Sequence, residues 1–116
     1  MPSLLPKRPE KGIQRSCLTL LQIKQNQGKV VWYDRLNSGS ILIRGKNHIR
    51  RIRLCKEGTP DIYAILPDGH VLWVETKAKG GELSPEQSKF KEMISKVDGH
   101  SYHIIRDEDE LNELIK

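Results

Sequence analysis

At 116 residues the chain has room for one domain around one modest core. It holds no apolar stretch long enough to span a membrane and no signal-peptide pattern, which excludes a membrane-embedded or secreted reading and sets the expectation of a cytoplasmic protein. The net charge of +5 is unevenly spread: residues 1–56 hold 13 Lys/Arg against 2 Asp/Glu, and residues 57–116 hold 7 against 13. A basic half beside an acidic half fits a protein that binds nucleic-acid phosphates better than one with a merely solvated surface.

Residues 1–8 are basic and Pro-rich and are expected to form a flexible arm, leaving residues 9–116 as a single domain. A helix is predicted from Pro9 or Glu10 to about Gln27, with Gly28 as its stop and an apolar stripe of Ile13, Cys17, Leu20 and Leu21. Glu10 sits on the inward edge of its first turn, where the macrodipole alone would favour a carboxylate. Cys17 and Cys55 lack metal-ligand spacing and read as free thiols.

Residues 29–36 are rich in β-formers and predict a strand, broken by Asn37-Ser38-Gly39. Ser40 to Arg44 predicts a second strand and Gly45-Lys46-Asn47 a turn. Residues 48–54 predict a third strand, with Ile52 and Leu54 on one face and Arg51 and Arg53 on the other. Arg44, Lys46, Arg50, Arg51 and Arg53 are the candidate phosphate contacts here. The competing explanation is charge that protects a sheet edge.

The stretch from Gly58 to Lys77 is the most informative. Two apolar runs, residues 62–66 and 71–74, are joined by Pro67-Asp68-Gly69, which suits a three-residue hairpin loop with Gly69 at positive φ. That loop pairs Leu66 with His70, Ile65 with Val71, Tyr63 with Trp73 and Asp61 with Glu75. Lys77 lies two residues after Glu75 and shares its face. One side of one hairpin then carries two carboxylates and an ammonium. A two-residue turn would slip the register and split them.

Residues 78–83 are a flexible connection, with Lys79 a further candidate DNA contact. A helix follows with Ser84 as N-cap, Pro85 at its first position and Gln87 as the capping-box partner; Phe90, Met93, Ile94 and Val97 are its inward stripe. Gln87 can cap the helix or face the carboxylates. Residues 101–106 predict a last strand. A short helix begins at Asp107, with Leu111, Leu114 and Ile115 packing inward. His100 and His103 lie on an extended segment without further ligands, too few for zinc.

Two adjacent carboxylates repel unless a cation sits between them, and oxygen ligands at this spacing suit Mg²⁺ or Mn²⁺ with water and phosphate completing the shell. A lysine two residues on can orient or deprotonate an attacking water. In outline this is a phosphodiester-cleaving site.

Pro60-Asp61, a gap of 13 residues and then Glu75-Thr76-Lys77 resembles the PD-(D/E)XK nuclease signature. With Asn37-Ser38-Gly39, Gly58-Thr59-Pro60-Asp61, Asp68-Gly69 and Leu83-Ser84-Pro85-Glu86-Gln87 in order, it resembles the VRR-NUC (virus-type replication-repair nuclease) branch, over roughly residues 9 to 109. The resemblance implies an α/β fold, a central mixed β-sheet flanked by helices as in restriction endonucleases. It also implies a metal site of Asp61, Glu75 and the Thr76 carbonyl, completed by a glutamate from the first helix, here Glu10. Lys77 becomes the catalytic lysine and Gln87 its support, with Asn37, Gly39 and Gly58 in turns near the site. Cleavage of the P–O3′ bond to leave a 5′-phosphate follows from the same resemblance.

Stand-alone members resemble Holliday-junction resolvases. The expectation is therefore a homodimer acting on branched DNA, four-way junctions or flaps, beside replication and repair proteins in a bacterial or phage-infected cell. The alternative is a DNA-binding scaffold module with weak or partner-dependent nuclease activity. A sequence-specific restriction enzyme is disfavoured, since nothing resembles an added target-recognition domain.

Overall fold

The computed structural model describes residues 7–36 and 39–116. The expected turn residues Asn37 and Ser38, and residues 1–6 of the arm, lie outside that range. Helix α1 (Glu10–Asn26) begins after Pro9 and is closed by Gly28, whose φ of 76° lets its N–H reach the Gln25 carbonyl and the Lys29 N–H reach that of Lys24. Strand β1 (Trp32–Arg35) is shorter than the predicted strand because Lys29 is still engaged in closing α1.

Strands β2 (Ser40–Arg44) and β3 (Ile49–Arg53) pair antiparallel with each other and, among the described residues, with no other strand. The main sheet is built from β1, β4 (Ile62–Ile65), β5 (Val71–Thr76) and β6 (His100–Ile105), in the order β1-β4-β5-β6. Its first two pairings are antiparallel and β5–β6 is parallel, so the sheet is mixed. Helix α2 (Pro85–Ile94) is the crossover that a parallel pair requires, and α3 (Glu108–Leu114) closes the chain.

Alternation along β5 divides the two faces. Leu72, Val74 and Thr76 are buried on the α1/α3 side, in a core with Ile13, Cys17, Leu21, Val30, Ile62, Ala64, Ile105, Leu111 and Ile115. Burial pushes the Cys17 thiol up to about 12, so it packs as an inert apolar group, and both cysteines are free. Trp73 and Glu75 face the other way, beneath α2. There Trp73 meets Phe90 edge-on at 5.2 Å between ring centroids, and Tyr63 and Tyr102 extend the aromatic layer.

The predicted stripe of α2 needs correction. Phe90 and Ile94 are half-buried, but Met93 and Val97 are exposed. The helix ends at Ile94, so Val97 lies in the turn beyond it, and α2 reaches the sheet mainly through one ring. Leu114 is likewise exposed where inward packing was expected. Among the described residues no helix is long and apolar enough to cross a membrane.

Candidate active site

The Pro-Asp-Gly loop sets the register as its chemistry predicts. Gly69 takes φ 91°, its N–H donates to the Leu66 carbonyl, and the Leu66 N–H donates to that of His70 at 2.8 Å. The ladder then runs from Ile65–Val71 to Ile62–Val74. It stops one pair short of Asp61 and Glu75, because Asp61 turns out of the strand. The Asp61 carbonyl accepts the Leu36 N–H at 2.6 Å, and its Oδ2 accepts both the Thr76 N–H at 2.9 Å and the Thr76 hydroxyl at 2.7 Å. Thr76 thus anchors Asp61 with two donors, a role that strand alternation hides, since it places the Thr76 side chain on the opposite face from Glu75.

Glu75 is 3 % exposed. Its Oε1 accepts the Gln87 amide N–H at 3.0 Å and lies 3.8 Å from Lys77 Nζ, while its Oε2 is buried without a hydrogen-bond partner among the described residues. Burial first, then repulsion from Asp61, push the Glu75 carboxyl up to about 8 from an ordinary 4.5; Lys77 opposes this and Glu10 adds to it. Free of a cation, the Glu75 carboxyl is therefore pushed toward its protonated form. An orphaned buried oxygen facing a second carboxylate fits a divalent cation, which would satisfy the oxygen and take the place of that proton.

Gln87 fulfils both of its predicted roles. Its carbonyl accepts the Ser84 N–H at 2.8 Å, the Ser84 hydroxyl accepts the Gln87 N–H at 3.2 Å, and the remaining amide N–H is the one on Glu75. The capping box therefore fixes the rotamer that presents the amide to the carboxylate. Gly58 completes the clamp. At φ 91° its backbone lies so close to α2 that an added Cβ would sit 2.5 Å from the Glu86 carbonyl oxygen. The loop leading to Asp61 is thereby pressed onto the first turn of the helix that carries Gln87.

Glu10 is exposed in the first turn of α1, near enough for its charge to act on Glu75. Among the described residues no three His, Cys, Asp or Glu side chains gather into a metal cluster, so the structure brings together Asp61 and Glu75 but does not add Glu10 to them. Lys79 is exposed, beyond a loop whose Ala78 carbonyl accepts from Arg106 at 2.7 Å. Arg44, Lys46, Arg50, Arg51 and Arg53 are all exposed on or beside the β2–β3 ribbon. Arg44, Arg51 and Arg53 share one face of it, and Arg50 lies on the other with Ile41, Ile43 and Ile52. Gly39 closes the base of the ribbon by accepting the Leu54 N–H at 3.1 Å.

Tyr102 was not singled out by the sequence. Its hydroxyl is buried without a partner among the described residues, and burial, then the charges of Glu75 and Asp61, raise its pKa. Only the parallel β5–β6 register, which sets Tyr102 opposite Trp73, puts it near the carboxylates. The histidines do not converge on a metal. His100 accepts the Trp73 indole N–H at 2.9 Å, while His103 is bridged to His70 through the Ser101 hydroxyl at 2.7 and 2.8 Å.

A mixed sheet flanked by helices, with an aspartate and a glutamate meeting at one end of its central hairpin and a lysine two residues on, defines a restriction-endonuclease-like nuclease fold. A family model, the VRR-NUC domain, matches residues 8–104, and the chain belongs to that family of nucleases. Comparisons with curated proteins and with solved structures give no match.

Proposed function

We propose that the protein is a divalent-metal-dependent DNA endonuclease that cuts branched substrates such as four-way junctions or flaps. The observation that carries this reading is the pairing of Asp61 with a Glu75 whose buried Oε2 lacks a partner, with Lys77 Nζ 3.8 Å from the other oxygen. Asp61 and Glu75 would hold Mg²⁺ or Mn²⁺, helped by the Thr76 carbonyl and by Glu10 from α1. The ion, when bound, supplies Lewis-acid polarisation of the phosphoryl group and offsets charge in the transition state. Thr76 keeps the Asp61 carboxylate aimed, and Gln87 holds that of Glu75. Lys77, anchored beside Glu75, orients the attacking water and steadies the negative charge that builds on the phosphoryl oxygens. The P–O3′ bond breaks, leaving a 5′-phosphate and a 3′-hydroxyl.

Symmetric scission of a junction needs two sites, so the active species is proposed to be a homodimer. Ile41 and Ile43 leave apolar surface exposed on the ribbon face opposite Arg44, Arg51 and Arg53, which supports an interface there. Its arginines, with Lys46 and Lys79, are proposed DNA contacts. Replication and repair proteins in the cytoplasm of a bacterial or phage-infected cell are the proposed setting.

The test is incubation with labelled four-way junction, flap, duplex and single-stranded DNA in Mg²⁺ or Mn²⁺, beside Lys77→Ala and EDTA controls. Symmetric cuts confined to the junction and lost with Lys77→Ala are the expected result. Cutting of every substrate would remove the preference for branches. Binding without cutting in either metal would favour a DNA-binding scaffold or a nuclease that needs a partner. A single 13 kDa species by light scattering, with and without DNA, would overturn the dimer.

A further inference from the structure

A concavity of about 280 Å³ lies between α1 and the edge strand β1, lined by Lys11, Gln14, Arg15, Leu18 and Arg35. The four α1 residues stand at i, i+3, i+4 and i+7, one continuous helical stripe. Arg35 pairs with Ile62, the residue after Asp61, and the next N–H, that of Leu36, is bonded to the Asp61 carbonyl. Lys11 follows Glu10, whose charge acts on Glu75. The concavity therefore opens at the same end of the sheet as the carboxylate pair, one strand across from Asp61.

Its lining holds three cations and no carboxylate, and among the described residues none of the three is in an ion pair. The chain has 15 Asp/Glu, yet none lines this hollow. Cations gathered without counter-charge repel one another and raise the local potential, an arrangement that favours an anionic ligand. Two guanidinium forks and an ammonium match the several oxygens of a phosphate, Gln14 adds an amide donor, and Leu18 offers an apolar contact suited to a sugar.

We propose that this concavity seats a backbone phosphodiester of the DNA strand being cut, beside the scissile phosphate, and so holds that strand in line with Asp61 and Glu75. The proposal rests on the nuclease reading. It assigns strand binding to α1 and β1, in addition to the ribbon.

The test compares wild type with the Lys11→Ala/Arg15→Ala/Arg35→Ala triple variant and with a charge-matched control, Lys29→Ala/Lys91→Ala/Lys96→Ala. DNA affinity is measured in EDTA from 50 to 200 mM salt, and cleavage in Mg²⁺. All six side chains belong to exposed residues, and thermal melting checks that both variants fold. The pocket triple should bind about tenfold more weakly at low salt and flatten the log–log salt slope by about one, while the control stays within about twofold of wild type with its slope intact. Arg35→Lys alone, which keeps the charge but loses the fork, should fall between wild type and the triple. Equal losses in both triples would reduce the effect to net charge and overturn the proposal, as would a pocket triple that binds like wild type.

Inorganic phosphate is a second probe, read from the Arg15 and Arg35 Nε–H resonances at constant ionic strength. Millimolar phosphate should shift them weakly and a short duplex strongly. Saturation by micromolar phosphate would make this a site for the free ion and overturn the strand assignment. A wild type that neither binds nor cuts DNA would remove the nuclease reading and this one together. A wild type that cuts normally beside an unaffected triple variant would remove this one alone.

Discussion

Glu75→Gln should stabilise the metal-free protein, increasingly so as pH rises. The folded chain holds the Glu75 proton to about pH 8, because the group is buried and faces Asp61, whereas the unfolded chain releases it near 4.5. Raising the pH between those values therefore favours unfolding: the stability is intact below 4.5 and is lost progressively up to about 8. At about 1.4 kcal/mol for each pH unit in that interval, the loss is on the order of 5 kcal/mol by pH 9, a large part of the ~5–15 kcal/mol typical of a domain. For a chain of this size that corresponds to roughly 15–25 °C in melting temperature. Glutamine keeps the shape and the acceptor oxygen for Gln87 but cannot titrate. In EDTA, melting temperatures of wild type and Glu75→Gln should coincide near pH 4.5 and diverge toward pH 9, with wild type lower. Added Mg²⁺ or Mn²⁺ should raise the wild-type curve and leave the variant unmoved. Parallel curves from pH 5 to 9 would refute the reasoning, since Glu75 would then not be held protonated in the fold.

Gln87→Ala removes a capping-box partner and the donor to Glu75 together, and should cost about 2 kcal/mol in urea unfolding at pH 7; a change under about 0.5 kcal/mol would contradict the dual role. Gly58→Ala and Gly69→Ala form a matched pair, both at φ 91° but only Gly58 facing a backbone oxygen. The Gly69 change should cost about 1–2 kcal/mol for the left-handed backbone alone, and the Gly58 change at least about 3 kcal/mol, with lowered activity as α2 is pushed away. Tyr102→Phe removes a buried hydroxyl that has no partner, so the variant should be neutral or about 1 kcal/mol more stable by urea midpoint. A loss above about 1 kcal/mol would show that the phenol is in fact hydrogen-bonded.

The hairpin was legible because its information is local. Pro67-Asp68-Gly69 fixes the loop, the loop fixes the register, and the register brings Asp61 to Glu75. Gly28 and Ser84-Pro85 marked helix ends for the same reason. Contacts set by distant chain segments were not legible. The parallel pairing of β5 with β6 carries no turn that could fix its register, so Tyr102 stayed hidden. The bond from the Thr76 hydroxyl to Asp61 was not legible, because strand alternation puts that side chain on the face away from Glu75 and only the turn of Asp61 out of the ladder brings the two together. The exposed Met93 and Val97 follow helical spacing, and spacing alone does not say where a helix stops or how far it stands from the sheet. Arg15 and Arg35 were passed over because twenty residues separate them and only the packing of α1 against β1 joins them.

Among the described residues the β2–β3 ribbon pairs only with itself and none of its residues is buried, so its sequence is decoupled from the packing of the main sheet. Substitution, lengthening or exchange of residues 40–53 leaves the hairpin ladder, the capping box and the core as they are. The carboxylate end is interlocked in the opposite sense, with Asp61, Thr76, Glu75 and Gln87 each holding another in place. Relatives of this chain should therefore vary more in the ribbon than in the hairpin.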